Sequence, residues 1–211
     1  MRFLATTILS LSLALTALAA PPAVEQAAKD STAMVKVEVG NATHRGSAAY
    51  IGSGIFITNQ HVVAGADGKI IVSVPNTKHS FRCAVLATHH YSDIAILITN
   101  QKVTGLKPVT FAGRTPRIGK IYAAGYGSSM HDDKKGEFLR VYGGGWGDFT
   151  LSNQSWYRFG GEEGCSISGD SGGPAFDSEG RYIGPIWGTD DKNTYAVRFC
   201  HTFAFFAGVL P

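Results

Sequence analysis

Gly169-Asp170-Ser171-Gly172-Gly173-Pro174 sets a serine among glycines, and the rest of this chain reads as apparatus around that residue. A serine hydroxyl is a poor nucleophile at neutral pH. A hydrolase built on one needs a base to take the proton, a group to orient the base, and donors for the oxyanion that forms. Without a Cβ at Gly169, Gly172 or Gly173, the backbone turns tightly and aims its N–H groups at a substrate carbonyl oxygen. The base and its orienter must come from elsewhere. Two upstream stretches supply candidates, Thr58-Asn59-Gln60-His61-Val62-Val63 and Tyr91-Ser92-Asp93-Ile94-Ala95-Ile96-Leu97.

His61, Asp93 and Ser171, in that chain order and with these local sequences, resemble the chymotrypsin-fold (trypsin-like) serine peptidases, and among them the protease domain of the bacterial Do (HtrA) type, without its PDZ domains. The order carries weight, because the same three residue types occur in other orders on unrelated folds. Gly169-Asp170-Ser171-Gly172-Gly173 also fits the G-x-S-x-G elbow of α/β-hydrolases. Those enzymes place Asp and His after the serine, and only about forty residues follow Ser171, too few for the rest of that fold. Taken singly, each residue has a bland explanation as a turn serine, a capping aspartate or a histidine at a strand end; taken jointly, that explanation is weak.

Texture along the chain points to an all-β protein. Residues 34–39 alternate apolar and charged at period two, a half-buried strand. Residues 47–58 read as one longer apolar strand with bulges or close packing at Gly52 and Gly54. Further strands are expected at 70–74, 81–88, 94–98, 121–126, 138–142, 150–159, 174–177, 182–187 and 195–199, separated by Gly- and Asp-rich turns. Residues 20–33 form a lead-in with weak helical character, and 201–210 a terminal helix. The resemblance implies two antiparallel six-stranded β-barrels, 34–110 with His61 and Asp93 and 111–211 with Ser171, and an active site in the cleft between them. It implies an oxyanion hole from the Gly169 and Ser171 amides. It also implies that Ile186, Trp187 and Gly188 pair with an extended substrate, and that Ser166 and Ser168 lie at its side-chain pocket, near Cys165 and Asn193. Asp170 departs from the pattern. Digestive relatives pair this aspartate with a newly cut N-terminus, the Do type usually carries Asn there, and this chain shows no matching activation sequence.

Residues 1–19 carry Arg2, an apolar run and Ala17-Leu18-Ala19, which reads as a secretory signal cut after Ala19 or Ala20; the run falls short of the ~20 apolar residues a membrane span needs. A formal charge of +3 with no basic cluster gives no reason to expect nucleic acid or an acidic membrane as partner. Cys83, Cys165 and Cys200 fit no zinc spacing. A Cys165–Cys200 bridge is one way to pair them, leaving Cys83 a lone buried thiol. His131-Asp132-Asp133 offers too few oxygen ligands for a cation. The expectation is an exported (secreted or periplasmic) monomeric serine endopeptidase acting on protein or peptide, with no cofactor and no metal. The competing reading is a protease-fold binding protein without turnover.

Overall fold

The period-two run near the start becomes β1 (Thr32–Val39), and its alternation decides which face is buried. Ala33, Val35 and Val37 enter an apolar core, whereas Glu38 on the other parity is exposed. The computed structural model describes residues 20–113, 119–127, 139–146, 156–159, 166–190 and 193–209. The leader 1–19, the His131-Asp132-Asp133 segment and the Cys165 half of the suggested bridge lie outside the described residues.

Five more strands close a barrel with β1: β2 (Ala42–Gly52), β3 (Ile55–Thr58), β4 (Ile70–Ser73), β5 (Ser80–His89) and β6 (Ile94–Ile98). Their order is β1-β2-β3-β6-β5-β4, and β1 pairs with both β2 and β4, so no edge is left open. The stretch expected as one strand over 47–58 is instead a hairpin. Ser53 and Gly54 both have positive φ, 51° and 76°, which makes a two-residue turn of type I′. Ser is not among the residues that usually signal this turn, so the sequence alone reads through it.

Six further strands build the second sheet: β7 (Lys120–Gly125), β8 (Arg140–Trp146), β9 (Trp156–Phe159), β10 (Pro174–Asp177), β11 (Tyr182–Thr189) and β12 (Thr194–Val197). They follow the order β8-β7-β10-β11-β12-β9 and curl into a half-barrel whose edge strands, β8 and β9, approach each other. β12 ends at Val197 rather than at Phe199, because the chain turns there into the terminal helix α3 (Phe199–Val209). The fold is therefore mostly β, antiparallel and chymotrypsin-like.

Three apolar clusters explain why the β2, β3 and β6 sequences are apolar without interruption. Ala48, Tyr50, Phe56 and Leu97 point into the first barrel. Their neighbours Ala49, Ile57 and Ile94 point the other way, against Tyr122, Ala124, Phe176 and Tyr182 of the second sheet. Strands buried on both faces lose the polar half of the alternation. The lead-in is α1 (Pro22–Ser31), which starts with Pro22 in its first turn and seals one end of this junction with Val24 and Ala28. Cys83, on β5, is a free and buried thiol. Among the described residues, no helix is long and apolar enough to cross a membrane.

The hairpin turn yields a prediction. A Cβ on Gly54 would run into the Thr99 carbonyl, whereas one on Gly40, also at positive φ, would meet nothing within 4 Å. Both alanine variants carry a left-handed strain of about 1–3 kcal/mol. Gly54→Ala should lose more unfolding free energy than Gly40→Ala, by at least ~1 kcal/mol in denaturant titration. Equal losses would show that the β2–β3 turn yields freely.

Candidate active site

His61 sits on a single helical turn, α2 (Gln60–Val63), directly after β3. Asp93 follows a 3-10 turn (His90–Ser92) and has left-handed φ and ψ of 50° and 48°. Aspartate tolerates that conformation better than most residues. Its carboxylate is nearly buried and grips His61 twice. Oδ1 accepts from the His61 backbone N–H at 2.8 Å, and Oδ2 lies 2.5 Å from Nδ1. The Asp93 carbonyl is held in turn by Asn59 Nδ2 at 2.9 Å and the Gln60 N–H at 3.2 Å. The Nδ1 side of the imidazole is thus fixed against a carboxylate, and the ring remains about half exposed.

Ser171 lies across the junction. His61, Ser168, Gly169 and Ser171 line one cavity of about 320 Å³, together with Val62 and the β2 residues Thr43, His44 and Arg45. No hydrogen bond joins the His61 ring to Ser171 Oγ. Asp170 N–H donates to the Ile167 carbonyl at 3.0 Å, and Gly169 between them has φ 98°. A positive φ at the third position of a hydrogen-bonded turn defines type II, which requires glycine there. Among the described residues, the Gly169 and Ser171 N–H groups have no acceptor, while the Asp170, Gly172 and Gly173 N–H groups all have one.

The structure separates the expected substrate-side residues. Ser168 lines the cavity. Ser166 is buried, and its N–H donates to Thr194 Oγ1 at 2.8 Å. Ile186 is fully buried, its carbonyl accepts from Gly172 N–H at 2.9 Å, and its N–H donates to Gly173 O at 2.8 Å. Both backbone groups therefore help to hold the serine loop. Trp187, partly exposed and edge-on to Tyr195, and Gly188 are the parts of that segment left toward the surface.

Sequence reasoning left Asp170 without a partner, and the partner is Arg140 on β8. Asp170 is fully buried; Oδ2 accepts from Arg140 Nη1 at 2.9 Å and from the Ile167 N–H at 3.0 Å, and Oδ1 from the Gly127 N–H at 2.8 Å. The Arg140 guanidinium is itself seated over the Tyr142 ring, 4.7 Å from its centroid. Burial raises the Asp170 carboxyl above its usual pKa, against the opposing pull of the Ile167 N–H, the Arg140 guanidinium and the Gly127 N–H. Nothing in the local sequence of Arg140 announces this role, since it arises from strand packing alone. Ser47 on β2 was likewise invisible; it bonds the serine loop from the opposite barrel.

With this geometry in place, comparison with known proteins is informative. Residues 46–184 match the trypsin-like peptidase domain family, and the chain belongs to that family. It is accordingly a serine-type endopeptidase by class. No curated protein sequence matches it. Among solved structures it is similar to the active form of the Rv3671c protease of M. tuberculosis, at 20% identity and a TM-score of 0.71, covering 90% of this chain and 88% of that one. It is also similar to a serine endoprotease of Yersinia pestis, at 18% identity and a TM-score of 0.70, covering 89% of this chain and 65% of that one. A third likeness is to an HtrA-type protease solved with a tripeptide, at 20% identity and a TM-score of 0.67, covering 89% of this chain and 62% of that one. At these identities the likeness is one of fold, and the fold is that of HtrA-type protease domains.

The Asp170 pair makes a pH prediction. A carboxyl whose folded pKa is raised favours the folded state most when protonated. Its contribution is greatest below the unfolded value near 4 and is lost as pH rises through the higher folded value. Removing the guanidinium leaves the buried carboxylate less compensated, so Arg140→Met should cost about 3–5 kcal/mol at neutral pH. The deficit should shrink on acidification toward pH ~4. Asp170→Asn in the same background should recover part of the loss at neutral pH. Urea denaturation of the three variants across pH provides the measurement, and a deficit independent of pH would remove Asp170 as its cause.

Proposed function

We propose that the protein is an exported serine endopeptidase that cleaves peptide bonds through an acyl-enzyme formed on Ser171. The carrying observation is the pairing of His61 Nδ1 with Asp93 at the wall of the cavity that Ser171 and two unpaired amides share. Ser171 Oγ attacks the scissile carbonyl carbon while His61 Nε2 takes its proton. The C–N bond then breaks, and the amine leaves with the proton that His61 returns. Water, deprotonated by the same nitrogen, attacks the ester and frees Ser171. Asp93 holds the ring in the tautomer with the proton on Nδ1 and stabilises the imidazolium. The Gly169 and Ser171 amides receive the oxyanion, a contribution on the order of 3 kcal/mol per donor in comparable sites. Ser166, Ser168, Trp187 and Gly188 lie on the substrate side; Ile186 acts through the loop it holds. Export rests on the leader-like sequence at 1–19, and no cofactor or metal takes part in the scheme.

Since the three residues act as a unit, Ser171→Ala and His61→Ala should each lower turnover by a factor on the order of 10⁴–10⁶, and the double variant should be scarcely worse than either. Labelling of Ser171 by a fluorophosphonate tests the reading directly. A folded protein that does not react would be a binding protein on a protease fold instead.

Asp170 also bears on activation. Its three donors come from Arg140, Gly127 and Ile167, so the serine loop has no need of a freshly cut N-terminal amine. Protein expressed from Pro21 should therefore react without further processing, and a few extra residues before Pro21 should change its active-site titre by less than about twofold, since they touch no group in the mechanism. Reaction confined to a trimmed species would establish a zymogen.

A further inference from the structure

The Ser47 side chain has no place in the scheme above, yet it is fully buried and makes full use of its polar atoms. Ser47 lies on β2, on the face of that strand that points toward the second sheet with Ala49 rather than into the first barrel with Ala48. Its hydroxyl donates to the Gly169 carbonyl at 2.8 Å and accepts from the Tyr126 N–H at 3.0 Å. Its own N–H donates to the Ser171 carbonyl at 2.8 Å, and its carbonyl accepts from Thr58 Oγ1 at 2.7 Å. One residue thus ties together the serine loop, the end of β7 and the strand that launches His61. The approach is close. A Cβ on Gly173 would come within 3.1 Å of the Ser47 Cβ, so the Gly172-Gly173 pair is what lets the loop lie against β2.

The hydroxyl bond falls on a particular peptide group. Gly169 C=O and Asp170 N–H belong to the same plane; Ser47 Oγ holds its oxygen and the Ile167 carbonyl holds its N–H. That plane lies between the two amides that have no acceptor, those of Gly169 and Ser171. We propose that the Ser47 hydroxyl is a positioning residue for the reaction, fixing the Gly169–Asp170 peptide from the opposite barrel so that both amides stay aimed at the oxyanion. This rests on the reading of those amides given under the proposed function. Deleting the hydroxyl strands two buried groups at once, the Gly169 carbonyl and the Tyr126 N–H. Each then gains by turning toward any other partner. The loop has such a partner in the Ser171 amide, two residues on, so the relaxation that satisfies the carbonyl spoils the hole.

The test compares Ser47→Ala with wild-type protein, using a p-nitrophenyl ester of a short acyl peptide and, separately, the rate of phosphonylation by a fluorophosphonate. Both reactions place an oxygen in the oxyanion site. Ser47→Ala should lower kcat and the phosphonylation rate by about 10–100-fold while KM changes by less than about threefold, the pattern of an interaction made in the transition state. The pH midpoint of the rate should not move, because the His61–Asp93 pair is untouched. Ser31→Ala serves as control. It deletes another buried hydroxyl, one that donates to Ala27 O at 2.7 Å in α1, and should lower the melting temperature with kcat unchanged. If Ser47→Ala does not fold, Ser47→Cys carries the same comparison, since it nearly conserves volume but replaces a strong donor with a weak one. A folded variant with wild-type kcat overturns the role of Ser47 alone. So does one whose losses vanish once rates are divided by the titrated fraction of active sites. An unreactive wild-type protein overturns the serine-hydrolase reading, and the positioning role with it.

Discussion

The backbone hydrogen bonds of residues 167–173 are the constraint on which the rest of the site depends. A buried turn must satisfy its N–H and C=O groups or lose free energy for each one left alone. Here Asp170 N–H goes to Ile167, Gly172 N–H to Ile186 and Gly173 N–H to Asp170. The Ser171 carbonyl takes the Ser47 N–H, and the Gly169 carbonyl takes the Ser47 hydroxyl. The Asp170 side chain adds a second tier, binding Gly127 and Ile167 while Arg140 balances its charge. These contacts hold the loop, and none of them uses the Gly169 or Ser171 amide. In the proposed mechanism these amides are already oriented and need no rearrangement when charge develops.

The two carboxylates of the site receive opposite treatment. Asp93 is nearly buried and spends both oxygens on one residue, gripping His61 at the backbone and at the ring. That double hold fixes where the histidine is and which way it faces. Asp170 is sealed in and spends its oxygens on three different segments. It behaves as an internal tie, and the guanidinium beside it offsets part of the cost of a buried carboxylate. The same functional group thus orients a histidine in one barrel and sets a turn in the other sheet.

The parts of this architecture that were legible in the sequence are those encoded by neighbouring residues. Alternation exposed β1, the apolar run announced β6, and the glycines around Ser171 announced a tight turn. His61, Asp93 and Ser171 stood out because each sits in a local pattern with a chemical reason. The β2–β3 hairpin was missed because Ser53 adopts a positive φ that serine seldom signals. Arg140 and Ser47 were missed for a different reason. They lie 30 and 122 residues from the groups they hold, and a lone arginine or serine on a strand carries no mark of its distant partner. The bonds of Ile186 to Gly172 and Gly173 show the same limit, since no local pattern marks a strand residue as the support of a distant loop.

Cys83 has a consequence for thiol chemistry in this chain. Burial pushes its thiol up to about 12, and the opposing backbone hydrogen bond at Val72 does not offset that. At neutral pH the thiolate, the only form that attacks a disulfide, is then a fraction on the order of 10⁻⁵ of the total. Exchange with small disulfides or with another copy would require β5 to open first. The rate of covalent scrambling at this residue is therefore set by how often the first barrel breathes, and an alkylating reagent directed at Cys83 would act as a clock for that motion.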